Sequence, residues 1–255
     1  MGGYERFAAV YDALTGNVDY AAMGERLCRL LAEHGAKKGI LLDLACGTGT
    51  LSALFAEHGY EVIGVDASEE MLAAAQEKRI EQGFDALFLC QRMEQLDLFG
   101  TIDAAVCTLD SLNHLTDEAA FREALRRVAL FMNDGGVFLF DVNTPYKHAH
   151  VLGNNTFVYD LDEVFCVWQN AFDEETQTTR ITLDLFTADE EEPDVYLRET
   201  EEFSERAYEI DKIAGWLQEV RFEVCAVLDA DTGKTLAETS ERALFVCKKH
   251  GTQFQ

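Results

Sequence analysis

The stretch Leu41-Leu42-Asp43-Leu44-Ala45-Cys46-Gly47-Thr48-Gly49-Thr50, followed by Val62-Ile63-Gly64-Val65-Asp66, constrains this chain more than any other. An apolar strand runs into a glycine-bearing turn, and a second apolar strand ends in a carboxylate 19 residues after Gly47. Glycine lets backbone approach a ligand where a Cβ would collide. A carboxylate at the tip of the next strand accepts hydrogen bonds from a ribose diol. Together they predict a nucleoside-containing cofactor lying across the carboxyl ends of a parallel sheet.

A dinucleotide fingerprint reads Gly-x-Gly-x-x-Gly. Here Gly47, Gly49 and Ser52 occupy those places, a partial match. The string Asp43-x-x-Cys46-Gly47-Thr48-Gly49 is more specific and closely resembles the cofactor loop of class I S-adenosylmethionine-dependent methyltransferases. The resemblance implies that the loop, from Ala45 and Cys46 through Gly47 and Gly49, lies against the methionine part of the cofactor. It implies that Asp66 holds the ribose and that Asp43 orients the loop and approaches the amino group. The family usually has glycine where this chain has Ala45, whose methyl group narrows the pocket.

The segment Asp66-Ala67-Ser68-Glu69-Glu70-Met71-Leu72 resembles the family's second motif. Ser68 is an expected helix cap, and Glu69 and Glu70 suit the positive helix end. The resemblance sets Ala67 beside the cofactor and Met71 beside the adenine. Many relatives have Asp where Arg92 stands, and Arg cannot accept a hydrogen bond. Adenine recognition then rests on the Met93 backbone, on Gln91 or on stacking. Ala105 to His114 resembles the segment after strand four, whose start, near Leu109, supports the methionine moiety and whose end faces the methyl acceptor. Tyr11 and Tyr20 are candidates to close over the cofactor, where a ring face favours the sulfonium charge. Helical spacing of Tyr4, Phe7 and Tyr11 equally fits a packed amphipathic helix.

The 255 residues allow one large domain, or one with an insertion, and 48% apolar residues supply a full core. No apolar run is long enough to cross a bilayer, and no secretory signal is read at the N-terminus. Seven cysteines without C-x-x-C spacing predict reduced thiols in a cytoplasmic protein. A net charge of −26 repels phosphate backbones and weighs against a nucleic-acid acceptor.

Periodicity predicts an α/β fold with a doubly wound parallel sheet covered by helices on both faces; the resemblance implies a mostly parallel seven-stranded sheet completed by a terminal antiparallel strand pair, with an inserted antiparallel β cap. The expected organisation is a helical segment at 1–38, a cofactor-binding core at 39–145, a β cap at 146–205 and completion of the core sheet at 206–255. Core strands are expected at 40–45, 60–66, 86–90, 102–108 and 137–142, the last after the turn Asp134-Gly135-Gly136. In the cap, long strands at 156–171, 178–188 and 195–203 read as a meander, with an acidic turn at 189–194. The sequence does not set an oligomeric state, although an exposed meander edge could pair with another chain in a homodimer.

Methyl transfer from a sulfonium is an in-line displacement that requires no metal and no catalytic triad. Acceptor-side candidates are Asn113, His114, Tyr146, His148, Arg206 and Tyr208. His114 stands at the ligand end of strand four and titrates near neutral pH. Relatives often carry an Arg-x-Tyr pair like Arg206 and Tyr208, which faces the acceptor in one reading; a salt bridge accounts for Arg206 in the other. The leading expectation is a small-molecule methyltransferase acting on nitrogen or oxygen, with His114, Arg206 and Tyr208 as catalytic candidates. RNA methylation, an NAD-dependent dehydrogenase and a non-catalytic cofactor-binding scaffold are the alternatives.

Overall fold

Strand β1 (Ile40–Leu44) sits at the middle of a seven-stranded sheet because its residues are apolar on both faces. Leu42 and Leu44 face one buried cluster, and Leu41 faces the other. Near-continuous apolar runs of this kind mark parallel strands covered on both sides. A computed structural model describes residues 4–189 and 195–251.

The remaining core strands are β2 (Glu61–Asp66), β3 (Ala86–Cys90), β4 (Ile102–Cys107), β5 (Met132–Asn143), β10 (Phe222–Asp229) and β11 (Arg242–Lys249). Their order is β10-β11-β5-β4-β1-β2-β3, with β11 antiparallel to both β5 and β10 and the rest parallel. The expected doubly wound sheet with its terminal antiparallel pair is present. Helices α2 (Tyr20–Glu33) and α3 (Thr50–Glu57) cover one face, and α5 (Glu118–Phe131) and α6 (Ile210–Glu219) cover the other. Helix α4 (Glu69–Gln82) follows β2; the Ser68 hydroxyl accepts from the Met71 amide at 3.1 Å, and the helix ends at left-handed Gly83.

A second sheet holds β6 (Thr156–Asp160), β7 (Phe165–Asp173), β8 (Thr178–Ala188) and β9 (Tyr196–Arg206), all antiparallel. The expected single strand at 156–171 is instead a hairpin. Asp160-Leu161-Asp162-Glu163 breaks the apolar run, and the Leu161 amide closes the turn on the Val164 carbonyl at 3.1 Å. The turn expected at Asp134-Gly135-Gly136 is instead a bulge inside β5. Met132 to Val137 opposes Ile102 to Ala104, and Gly135 absorbs the extra length at φ +80°. The core of the acidic turn expected at 189–194 lies outside the described residues.

The inward face of β8 alternates Ile181, Leu183 and Leu185, and Val10 of α1 (Tyr4–Leu14) packs into this cluster. Helix α1 is thereby held between the small sheet and the glycine-bearing loop of the large one.

Candidate active site

The loop after β1 is held by its neighbour β2. The Cys46 amide donates to the Val65 carbonyl at 3.0 Å, and the Gly47 amide donates to Asp66 Oδ2 at 2.8 Å. The other Asp66 oxygen accepts from the Ser68 amide at 2.9 Å. One carboxylate therefore ties the loop to the start of α4. The two glycines differ in role. A Cβ added at Gly47 would meet only a Tyr11 ring carbon at 3.9 Å, so its backbone lies open toward the cavity. A Cβ at Gly49, the left-handed cap of α3, would come within 3.1 Å of Ala75 and 3.2 Å of Phe88. Gly49 permits close packing rather than ligand approach. Ala45, where the family has glycine, adopts φ +60°, a left-handed conformation that costs a residue with a Cβ about 1–2 kcal/mol.

Asp43 lies buried beneath the loop and accepts from Ser52 Oγ at 2.6 Å. Burial pushes its pKa up to about 7; the Ser52 hydrogen bond opposes this, and the charge of Asp66 adds to it. From above, Asp12 of α1 accepts from Thr48 Oγ1 at 2.6 Å and from Lys78 Nζ at 2.7 Å. Lys78 also donates to Thr50 Oγ1 at 2.6 Å. Tyr11 and Tyr20 line the space that remains, together with Ala45, Cys46, Gly47 and Leu109. The cavity measures about 30 Å³, room for only one or two waters. A wider concavity of about 930 Å³ is open to solvent beside Phe222, at the amino ends of the parallel strands and away from this loop.

The opposite wall is the tip of β4. Leu109 and Asp110 are both left-handed, at φ +54° and +52°. Buried Asp141 holds them there, accepting from their amides at 3.2 and 2.7 Å, with Arg242 3.5 Å from it. Consecutive strained residues persist only where the surroundings over-determine them, as at functional sites.

The adenine-side candidates stand outside the lining of this small cavity. Ala67 is exposed, and its carbonyl faces the Cys90 thiol; Met71 is buried on the first turn of α4; half-buried Met93 opens a short turn packed on the core. The Gln91 side chain is committed at both ends to the Asp97 backbone, at 3.0 and 2.8 Å, so it braces the loop. Arg92 is exposed and paired with Glu94.

The acceptor-side candidates divide. His114 Nε2 lies 3.9 Å from Glu205 Oε1, and its ring rests on Phe203. The surrounding protein lowers the pKa of His114 although 42% of its side chain is exposed; Asp110 and Asp66 pull the other way. Buried His148 meets Thr179 Oγ1 at 2.7 Å through Nδ1. Tyr146 packs on His150. Asn113 is a structural clasp, exchanging hydrogen bonds with the Asn143 backbone and donating to the Arg206 carbonyl. Arg206 and Tyr208 pack together at the junction after β9. Tyr208 is buried among Phe121 and Trp216 with its hydroxyl donated to the Leu115 carbonyl at 2.6 Å. Arg206 lies over the Tyr208 ring and donates to the Thr116 carbonyl at 3.1 Å. Tyr208 belongs to the core cluster, Arg206 is half-buried, and neither they nor His114 line the small cavity beside the loop.

Sequence reading missed Glu205, Asp12 and Lys78. Glu205 is hidden in an acid-rich strand, yet a period of two signals it: Glu201 and Glu205 share the buried face of β9. Asp12 and Lys78 meet across 66 positions and carry no local signal.

The donor set suits an adenosyl-sulfur cofactor. Asp66 stands at the tip of β2, Gly47 offers backbone without a Cβ, and two tyrosine rings flank the loop. A profile described as a methyltransferase domain matches residues 41–136. A protein of Geobacillus sp. (strain WCH70), a methyltransferase by name, is 34% identical over 249 residues, covering 96% of this chain and 99% of its own. A crystal structure of an S-adenosylmethionine-dependent methyltransferase from Clostridium acetobutylicum is 32% identical, with a TM-score of 0.88 over 98% of this chain and 100% of that one. Glycine N-methyltransferase of Oryctolagus cuniculus is 32% identical over 137 residues, 48% of this chain and 45% of its own. With the loop, the sheet order and these full-length likenesses in agreement, the chain belongs to the S-adenosylmethionine-dependent methyltransferases.

Proposed function

We propose that this enzyme methylates nitrogen or oxygen of a small-molecule acceptor, held between the tip of β4 and the four-stranded sheet. The observation that carries this reading is the placement of Asp110, His114 and Glu205 together beneath that sheet, next to the Gly47–Asp66 loop. The likeness to glycine N-methyltransferase over half the chain supports a small acceptor. The net charge of −26 disfavours nucleic acid. Seven free thiols fit a reducing, cytoplasmic setting.

When bound, S-adenosylmethionine supplies a methyl group on a positively charged sulfur, already activated for departure. The chain's residues then bind and align. Asp66 takes the ribose hydroxyls, Asp43 underlies the methionine end, and Tyr11 and Tyr20 close over it and exclude water. Ala45, Cys46, Gly47 and Leu109 shape the backbone around it, Gly49 sets the helix that follows, and Ala67, Met71, Gln91 and Met93 border the base. Alignment of this sort lowers barriers by roughly 7–11 kcal/mol in favourable cases. His114, whose pKa is lowered, faces the acceptor and orients it toward the sulfur.

Calorimetry with S-adenosylhomocysteine and with NAD tests the cofactor half, and transfer of labelled methyl groups across amine, amino-acid, sugar and phenol panels tests the acceptor half. Label appearing only in RNA would refute the small-molecule reading.

A further inference from the structure

Two carboxylates and two imidazoles from three segments, the turn after β4, the turn after β5 and strand β9, lie beside the β4 tip. Ligand atoms of Asp110, His114 and Glu205 lie within 4.8 Å of one another. Glu205 reaches in two directions: Oε1 is 3.9 Å from His114 Nε2, and Oε2 is 3.8 Å from His148 Nε2. His148 is fully buried, and its Nε2 has no hydrogen-bond partner among the described residues. The ring is fixed through Nδ1, which meets Thr179 Oγ1 at 2.7 Å. If Nδ1 carries the proton, the lone pair of Nε2 points at the carboxylate. Buried polar atoms are nearly always partnered, so this nitrogen calls for an account.

The geometry points to a divalent transition-metal site formed by Asp110, His114, His148 and Glu205. An ion about 2.1 Å from each donor sets neighbouring donors roughly 3–4 Å apart; each Glu205 oxygen is at that distance from one imidazole, and His148 must move closer to join Asp110, His114 and Glu205, which already lie within 4.8 Å of one another, on one ion. Two imidazoles with two carboxylates favour Mn²⁺, Fe²⁺ or Zn²⁺ over Mg²⁺ or Ca²⁺, which take oxygen ligands. The supports resemble those around bound metals, where outer hydrogen bonds orient each ligand. Asn143 Nδ2 donates to Glu205 Oε2 at 3.0 Å, Thr179 fixes His148, and Asp141 pins the Asp110 backbone. Lys147, bonded to Asn143 Oδ1 at 2.9 Å, is the nearby cation the site tolerates. In the acceptor region the ion would polarise an acceptor hydroxyl or amine as a Lewis acid. That role rests on the acceptor placement proposed above; binding of the ion does not.

The test uses the full chain, stripped with chelator, and titration with MnCl₂ and ZnCl₂ in separate calorimetry runs. One ion per chain is expected. Glu205→Gln and His148→Gln should each weaken binding at least tenfold while S-adenosylhomocysteine binding is unchanged. Electron spin echo spectroscopy of the Mn²⁺ complex of the unaltered chain should show coupling to imidazole nitrogen, which needs no variant to fold. Absence of stoichiometric Mn²⁺ or Zn²⁺ binding, no nitrogen coupling, or undiminished binding in both variants would overturn the site, as would binding of Mg²⁺ alone. Metal binding in a chain that fails to bind S-adenosylhomocysteine would uphold the metal site and defeat the acceptor-side role.

Discussion

Asp66 accepts a hydrogen bond from the Gly47 amide at 2.8 Å, although the two residues belong to different strand-loop junctions. The ribose-side carboxylate and the cofactor loop are thus one unit. Asp66→Ala should abolish detectable S-adenosylhomocysteine binding in calorimetry and loosen the loop, seen as faster amide exchange at Cys46 and Gly47. Binding within threefold of the parent would exclude Asp66 as the sugar contact.

Asp43 makes stability depend on pH in a stated direction. Its folded pKa is raised to about 7 from an ordinary value near 3.8. The unfolded chain ionises first, so the folded state loses ground as pH rises from about 4 to 7, and the loss is complete above the folded value. Denaturation midpoints should therefore fall across that window, and the Asp43→Asn variant should flatten this component. An unchanged profile in the variant would remove Asp43 as its source.

Ala45 carries a Cβ in a left-handed turn. Ala45→Gly removes strain of about 1–2 kcal/mol and adds chain entropy worth roughly 0.5–1 kcal/mol. A net gain of about 0.5–1 kcal/mol in urea denaturation is expected, with cofactor binding retained.

Asp12 latches α1 to the loop through Thr48 and Lys78. Tyr11 on the same helix lines the small cavity beside the loop, so opening of that latch is the expected step in cofactor entry. Lys78→Ala should raise the association rate of S-adenosylhomocysteine several-fold in stopped-flow measurements and speed proteolysis within α1. An unaltered rate would mean that α1 does not limit entry.

The Tyr208 hydroxyl serves the core. Tyr208→Phe leaves the Leu115 carbonyl unpartnered and should cost about 1–3 kcal/mol. The turnover number should stay unchanged; a large fall in it at unaltered stability would restore Tyr208 to the chemistry.

The cofactor half of the molecule was legible in the residues from Ile40 to Asp66, because strand, turn and strand are consecutive and their apolar pattern reflects burial on both faces. Alternating helices and strands made a parallel sheet covered on both faces legible, while the strand order belongs to the tertiary structure. Short-range signals failed where a few polar residues decided the outcome, as at Asp160–Glu163, which split one expected strand in two. The acceptor side was not legible. Tyr208 and Glu205 are both polar residues near one junction, and nothing local says that one turns into the core while the other meets His114 and His148. The β8–β9 register and the packing of α6 decide that, by bringing together groups up to 91 positions apart. Sequence by itself determined the sheet and its cofactor loop, because local backbone preference and burial period encode them. Tertiary structure alone decided which carboxylates and imidazoles share a site, because that depends on distance in space and on loss of water around them.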